Sequence, residues 1–197
     1  MNQPITFPKE ATYLKNQLLH ASSYAAIAKM KDEILKYAKY LQEQDILKCF
    51  EALFYTQQFP TVVMMIDELM KLERETLSYD YYVLASFIAM GDVYQARNFL
   101  HRSPLLKACA PYYEEGGANY STILGLQEAA LYRNHLTLVL AAFVVELTSE
   151  RVEEVNPILY RLTRMMDLLN TLQELGYEAK TIETLEAAIE IIFEIKL

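Results

Sequence analysis

Apolar residues recur at the spacing of an α-helix along nearly the whole chain, and the residues that would interrupt helices are rare. The 197 residues include only 5 Gly and 6 Pro, too little turn chemistry for a protein with many strands. Hydrophobic residues make up 53% of the chain and charged residues 22%, so it has enough apolar side chain to bury a core. These features predict an all-α protein.

The apolar spacing divides the first half of the chain into three helix pairs. Ser22 and Ser23 separate the helices of the first pair, and Pro60 falls in the first turn of a helix, where its missing N–H is tolerated. Ser103 and Pro104 close the third pair. The predicted ranges are 10–21 with 24–41, 45–56 with 60–74, and 79–90 with 93–101.

The second and third pairs repeat one pattern. Phe59 and Val93 lie 93 − 59 = 34 residues apart, and the same offset relates Leu53 to Phe87 and Val62 to Ala96. Gly91 and Asp92 form the corner of the third pair, and the small Ala96 side chain lets its two helices approach closely. This pattern resembles the tetratricopeptide repeat, a helix-turn-helix unit of that period.

The resemblance implies a right-handed superhelix of antiparallel helix hairpins, a solenoid of about 9–10 helices that forms a single domain over residues 1–197. The chain departs from the family pattern in two respects. Phe50 and Leu84 stand where a small residue is usual, and Gln57–Gln58 replaces Gly–Asp at the second corner.

The second half of the chain fits the repeat only with an insertion. Aligning Leu136 with Val93 gives an offset of 136 − 93 = 43 residues, so a loop at 109–119 containing a Gly-Gly pair interrupts the period. Residues 157–197 then predict C-terminal capping helices, with Ile182, Leu185 and Ile189 on one face of the last one and glutamates on the other. A partner-binding helix is the alternative for that segment.

Charge and hydropathy argue against two classes of partner. The formal net charge is −8, whereas affinity for nucleic acid comes largely from clustered Lys and Arg. The longest apolar run, LVLAAFVV at 138–145, is far shorter than the roughly 20 residues of a membrane helix, so it predicts a buried core helix. Residues 1–10 lack the pattern of a secretory signal. We therefore expect a cytoplasmic protein without nucleic-acid or membrane partners.

Catalytic and cofactor motifs are missing from the sequence. His20, His101 and His135 are widely spaced, and Cys49 and Cys109 form neither a metal-ligand pattern nor a disulfide framework. Glycine-rich phosphate loops do not occur either. We expect no catalytic residue, no metal and no cofactor, and hence a protein that is not an enzyme.

The aromatic content is unusual, with 15 Tyr, 8 Phe and no Trp. Tyrosine has an apolar body and a polar tip, which suits a binding groove, although tyrosines also bridge core and water in thin solenoids. The tetratricopeptide resemblance places the first helix of each pair on the concave, peptide-binding face. The residues that it implies for this groove are Leu47, Glu51, Phe54, Tyr55, Tyr81, Ala85, Ile88, Leu124, Glu128, Leu131 and Tyr132.

Three classes of function fit these observations. The favoured one is a non-enzymatic scaffold or adaptor whose tyrosine-rich groove binds a protein or peptide segment with apolar anchors and a basic group. The second is a peptide-sensing regulator, similar to bacterial quorum-sensing receptors but without a DNA-binding domain, or a secretion-type chaperone. The third is an enzyme whose site comes from distant residues. A homodimer is an open alternative for the partner.

Overall fold

The structure, a computed structural model, describes residues 7–71, 79–108, Ala110 and isolated positions between 137 and 190. The described residues contain α-helices, one 3-10 turn and no strand, which confirms the all-α prediction for that part of the chain. The chain divides into two compact units, Met1–Val83 and Leu84–Leu197. None of the described helices is long and apolar enough to cross a membrane.

The first unit is built from packed helices around a shared apolar core. Helix α2 packs against α4, α3 packs against both α1 and α5, and α4 packs against α5. The fully buried side chains include Leu14, Ile34, Phe50 and Ile66, one from each of α1, α3, α4 and α5. The helices are α1 (Lys9–His20), α2 (Tyr24–Ala28), α3 (Lys31–Tyr37), a 3-10 turn (Ala38–Tyr40), α4 (Glu43–Tyr55), α5 (Phe59–Met70) and the start of α6 (Asp80–Ala89).

The predicted helix 24–41 is wrong, since the structure divides it into α2, α3 and the 3-10 turn. Ser23 caps the start of α2, because its hydroxyl accepts a hydrogen bond from the Ala26 N–H at 3.1 Å. The break falls at Lys29 and Met30, where the chain has neither Gly nor Pro. Its physical reason is tertiary packing, because the break allows α2 to pack on α4 while α3 packs on α1 and α5.

The corner between α4 and α5 is closed by two backbone hydrogen bonds. The Gln57 N–H donates to the Phe54 carbonyl at 2.9 Å, and the Gln58 N–H donates to the Leu53 carbonyl at 2.8 Å. Gln57 adopts a φ of 60°, in the left-handed region that usually favours glycine. A non-glycine residue therefore occupies the C-terminal position where helices commonly end with Gly.

The corner between α6 and α7 (Val93–Arg102) has the same construction. The Gly91 N–H donates to Ile88 and the Asp92 N–H donates to Phe87, both at 2.9 Å. Gly91 has a φ of 72°. Each of these residues lies 34 positions after its counterpart at the earlier corner, as from Gln57 to Gly91. The 34-residue period read from the sequence is thus present in backbone geometry at both corners.

Gln57→Gly should raise the free energy of unfolding by about 0.5–1 kcal/mol, because relief of left-handed strain outweighs the extra freedom of glycine in the unfolded chain. The matched change Gly91→Ala should act in the opposite direction and cost about 1 kcal/mol. Urea denaturation of both variants provides the measurement. A destabilised Gln57→Gly would contradict the strain assigned to this corner.

The described part of the second unit holds the end of α6, α7 and a short α8 (Pro104–Ala108). Phe87 and Phe99 bring α6 and α7 together with ring centroids 6.3 Å apart, and Ala96 is fully buried. Helix α7 ends just before residues 103 and 104, as expected, with Ser103 as its C-cap residue. The same two residues also start α8, because the Ser103 hydroxyl accepts from the Leu106 N–H at 3.3 Å and Pro104 suits a first helical position.

Several predictions concern residues beyond position 108, where the structure describes only isolated positions. The insertion at 109–119 lies outside the described residues apart from Ala110, which is helical. Within the apolar run at 138–145, the described positions Leu138, Leu140, Ala141, Val144 and Val145 are helical and buried. In the C-terminal segment Ile182 is buried, Glu183 is exposed, and Glu186 and Glu190 are half-buried.

Candidate functional site: a tyrosine surface on the first unit

Three helices of the first unit bring tyrosines and one carboxylate together. Helix α4 carries Glu51 and, one turn later, Tyr55, so both lie on the same side of the helix. Helix α2 packs against α4 and supplies Tyr24 at its first position. The start of α6 supplies Tyr81 and Tyr82. We call these five residues the tyrosine face.

Phe54 is the buried centre beneath this face, with only 5% of its surface exposed. Its ring contacts Tyr55 edge-on at 5.3 Å, Tyr82 edge-on at 5.6 Å and Tyr81 at 6.3 Å between centroids. Phe59 closes the far side at 5.6 Å. Edge-to-face contacts of this kind are favourable beyond the burial of area, so the rings above Phe54 are held in fixed orientations.

Tyr24 and Tyr55 form the outer layer. Their rings stack at 5.6 Å with an interplanar angle of 23°. Tyr24 is 38% exposed, and Tyr55 and Tyr81 are half-buried. The result is a surface of partly solvent-exposed aromatic rings that rests on buried aromatic contacts.

Glu51 lies among the hydroxyl groups of this face. One carboxylate oxygen accepts from the Tyr24 hydroxyl at 3.4 Å and the other from the Tyr82 hydroxyl at 3.3 Å. The pKa of Tyr24 is raised, first by partial burial and then by the charge and the hydrogen bond of Glu51. The carboxylate thus sets a negative potential at the centre of the face.

Phe50 lies on α4, one turn before Phe54, and supports the tyrosine face from within the core. Its side chain is fully buried and stacks on Tyr79 at 4.8 Å and on Tyr82 at 6.5 Å. The Tyr79 hydroxyl in turn donates to the Glu43 carbonyl at 3.4 Å. The large residue at the position where the repeat family has a small one is therefore accommodated by ring stacking against the start of α6.

The structure brings together four of the residues expected in the groove: Glu51, Phe54, Tyr55 and Tyr81. Leu47 lies two turns before Phe54 on α4 and is half-buried. Ala85 and Ile88 are fully buried in the second unit, so their side chains offer no surface to a partner. The remaining expected residues, Leu124, Glu128, Leu131 and Tyr132, lie outside the described residues.

Two members of the face were missed by sequence reasoning. Tyr24 belongs to the second helix of the first pair, whereas the resemblance assigned the groove to first helices. Tyr82 follows Tyr81, which was expected in the groove. Only the helical phase of α6 decides which of the two tyrosines donates to Glu51. The packing of α2 on α4 is the information that would have identified Tyr24.

The chemistry available elsewhere in the described part of the chain is limited. No group of three His, Cys, Asp or Glu side chains there is arranged to hold a metal ion. His20 and His101 are exposed at the ends of α1 and α7. Cys49 is fully buried, and burial together with the nearby Asp45 charge raises the pKa of its thiol to about 12, against the opposing effect of Lys48. Such a thiol is a poor nucleophile at neutral pH.

Comparisons with protein-family models, with curated proteins and with solved structures give no match to this chain.

Proposed function

We propose that the protein is a non-enzymatic scaffold or adaptor that binds a peptide or protein segment on the tyrosine face. The observation that carries this proposal is the partly exposed set of Tyr24, Tyr55 and Tyr81, supported by buried Phe54 and Tyr82. Aromatic side chains whose orientations are already fixed lose little conformational freedom on binding, and Tyr is enriched among residues that dominate binding energies. A surface of this kind suits recognition of an extended or helical segment.

The two corners that repeat at 34 residues support a tetratricopeptide-like arrangement for this scaffold. In such a repeat, first helices line the inner face, and α4 and α6 are the first helices of the two pairs. Glu51, Tyr55 and Tyr81 of the tyrosine face lie on these helices. The added contribution of Tyr24 from α2 makes the proposed surface broader than the groove expected from first helices alone.

The proposal is tested by selecting peptides rather than by searching for a reaction. A displayed library of random peptides is panned against the wild-type protein and counter-selected against the double variant Tyr55→Ala, Tyr81→Ala. Peptides that survive are synthesised and their affinity is measured by calorimetry. If no peptide distinguishes the wild type from the folded double variant, the tyrosine face is not a binding surface.

For a selected peptide, Tyr55→Ala or Tyr81→Ala should weaken binding by about 1–3 kcal/mol, because a few aromatic anchors carry most of the energy of such interfaces. Both side chains are half-buried, so thermal melts should show a much smaller loss of stability than a core substitution. Tyr94→Ala is the matched control, since Tyr94 is 77% exposed on α7 and is not part of the face. An equal loss of affinity in Tyr94→Ala would contradict the assignment.

A further inference from the structure

Glu51 carries a charge that the described part of the protein does not neutralise. Its recorded partners are the hydroxyls of Tyr24 and Tyr82, and the ion pair that the structure describes is elsewhere, between Lys71 and Glu68. Lys48, one turn earlier on α4, donates its ammonium group to the Leu18 carbonyl at 2.7 Å instead. Among the residues that the structure describes, the half-buried Glu51 carboxylate thus has no positively charged partner.

The hydrogen-bonding capacity of Glu51 is also incomplete. A carboxylate has about four acceptor positions on its two oxygens, and each oxygen of Glu51 accepts one recorded tyrosine hydroxyl. Within the described part of the chain, one further acceptor position therefore remains on each oxygen. Two parallel N–H donors on a planar cation match this arrangement, as in the bidentate pair of a guanidinium with a carboxylate.

The rings beside Glu51 favour the same kind of group. Tyr24 and Tyr55 are stacked with nearly parallel planes, and Tyr82 meets Tyr55 at 85° with centroids 6.5 Å apart. Aromatic faces attract cations, and a guanidinium also stacks flat on them, whereas a lysine ammonium is a strongly hydrated point charge. The aromatic rings and the Glu51 carboxylate together therefore favour a planar cation over a lysine ammonium.

We propose that the tyrosine face contains a subsite for one arginine side chain of the bound segment, with Glu51 as its carboxylate partner and the rings of Tyr24 and Tyr55 beside it. The Tyr82 ring is buried and contributes through its hydroxyl, which donates to Glu51. This inference rests on the proposed function and specifies the chemistry of its partner. The segment that binds carries an arginine beside an apolar residue, the arginine entering at Glu51 and the apolar residue lying against Tyr55 and Tyr81.

Two small probes of the same shape test the subsite directly. Capped arginine amide and capped citrulline amide differ mainly in charge, because citrulline replaces one guanidinium nitrogen with oxygen. Each is titrated into the full chain with carbon-labelled tyrosine, and the ring signals of Tyr24, Tyr55 and Tyr82 are followed after assignment with Tyr→Phe variants. The arginine probe should bind about tenfold more tightly than the citrulline probe.

Glu51→Gln is the discriminating variant, since its amide oxygen still accepts a tyrosine hydroxyl but its charge is gone. It should reduce the difference between the two probes to less than about twofold. Should Glu51→Gln fail to fold, Tyr24→Phe removes one hydroxyl from a 38% exposed ring and should shift the arginine affinity without unfolding the protein. Any of three results would overturn the arginine subsite. These are equal binding of the two probes, an unchanged difference between their affinities in Glu51→Gln, and tighter binding of a lysine probe.

The panned peptides separate a failure of this inference from a failure of the proposed function. Peptides that depend on Tyr55 and Tyr81 but contain no enriched arginine would leave the binding surface in place and remove the arginine subsite. Loss of all selective peptides would remove both. Peptides enriched in arginine, whose affinity falls about tenfold or more in Glu51→Gln, are the expected result.

Discussion

Phe50→Ala should lower the free energy of unfolding by about 3–5 kcal/mol, the range for truncation of a fully buried aromatic side chain. The Phe50 side chain has no exposed surface, and its loss removes the stacking on Tyr79 at 4.8 Å and on Tyr82 at 6.5 Å. A cavity would then open directly beneath the tyrosine face. Denaturant titration followed by circular dichroism provides the measurement.

This position also separates two accounts of the fold. A regular tetratricopeptide unit has a small residue there, so a chain with strictly regular packing would tolerate Ala at position 50 with little loss. Stacking of Phe50 against the start of α6 requires the large ring instead. Tyr94→Ala is the control, since its 77% exposed side chain should change stability by less than about 0.5 kcal/mol. A Phe50→Ala variant as stable as this control would show that the described packing is wrong.

Alkaline pH should destabilise the protein through Cys49. The pKa of the buried thiol is about 12 in the folded protein, against about 8.5 for a cysteine in an unfolded chain. Below about pH 8.5 both states keep the proton, and the thiol adds no pH dependence. Above that pH the unfolded chain releases the proton and the folded protein does not, so stability falls by about 1.4 kcal/mol per pH unit.

The expected loss from this group is about 2 kcal/mol at pH 10. Other groups titrate in the same range, so the measurement is the difference in unfolding free energy between the wild type and Cys49→Ala at pH 7 and at pH 10. Between pH 7 and pH 10 the unfolding free energy of the wild type should fall by about 2 kcal/mol relative to that of Cys49→Ala. If the unfolding free energies of the two proteins change equally between pH 7 and pH 10, Cys49 is not held in its protonated form.

The positions of the helix pairs followed from local sequence signals. Pro60 and Asp92 lie at or beside the helix starts observed for α5 and α7, and apolar periodicity placed the bodies of α4 to α7. The break at Lys29 and Met30 was not predictable in this way, because no Gly or Pro marks it and it depends on which helices α2 and α3 contact. Local propensity and periodicity do not contain that information.

The candidate site was predictable only where its residues are neighbours on one helix. Glu51 and Tyr55 are neighbours on one helix face, so their proximity follows from helical spacing alone. The contacts of Tyr24 with Glu51 and Tyr55 cross 27 and 55 − 24 = 31 residues of sequence and depend on tertiary packing. The corner at Gln57 was predicted from the helix pattern, but its left-handed backbone, which matches that of Gly91, was not predictable from a non-glycine residue.

The most direct test of binding at the tyrosine face is to locate a selected peptide on the protein by NMR. The full chain with labelled tyrosine is mixed with an unlabelled peptide, and intermolecular nuclear Overhauser effects are recorded from the tyrosine rings. Contacts from the peptide to Tyr24, Tyr55 and Tyr81, which disappear in Tyr55→Ala, are the predicted result. Peptide contacts to Tyr94 with none to those three rings would contradict the account.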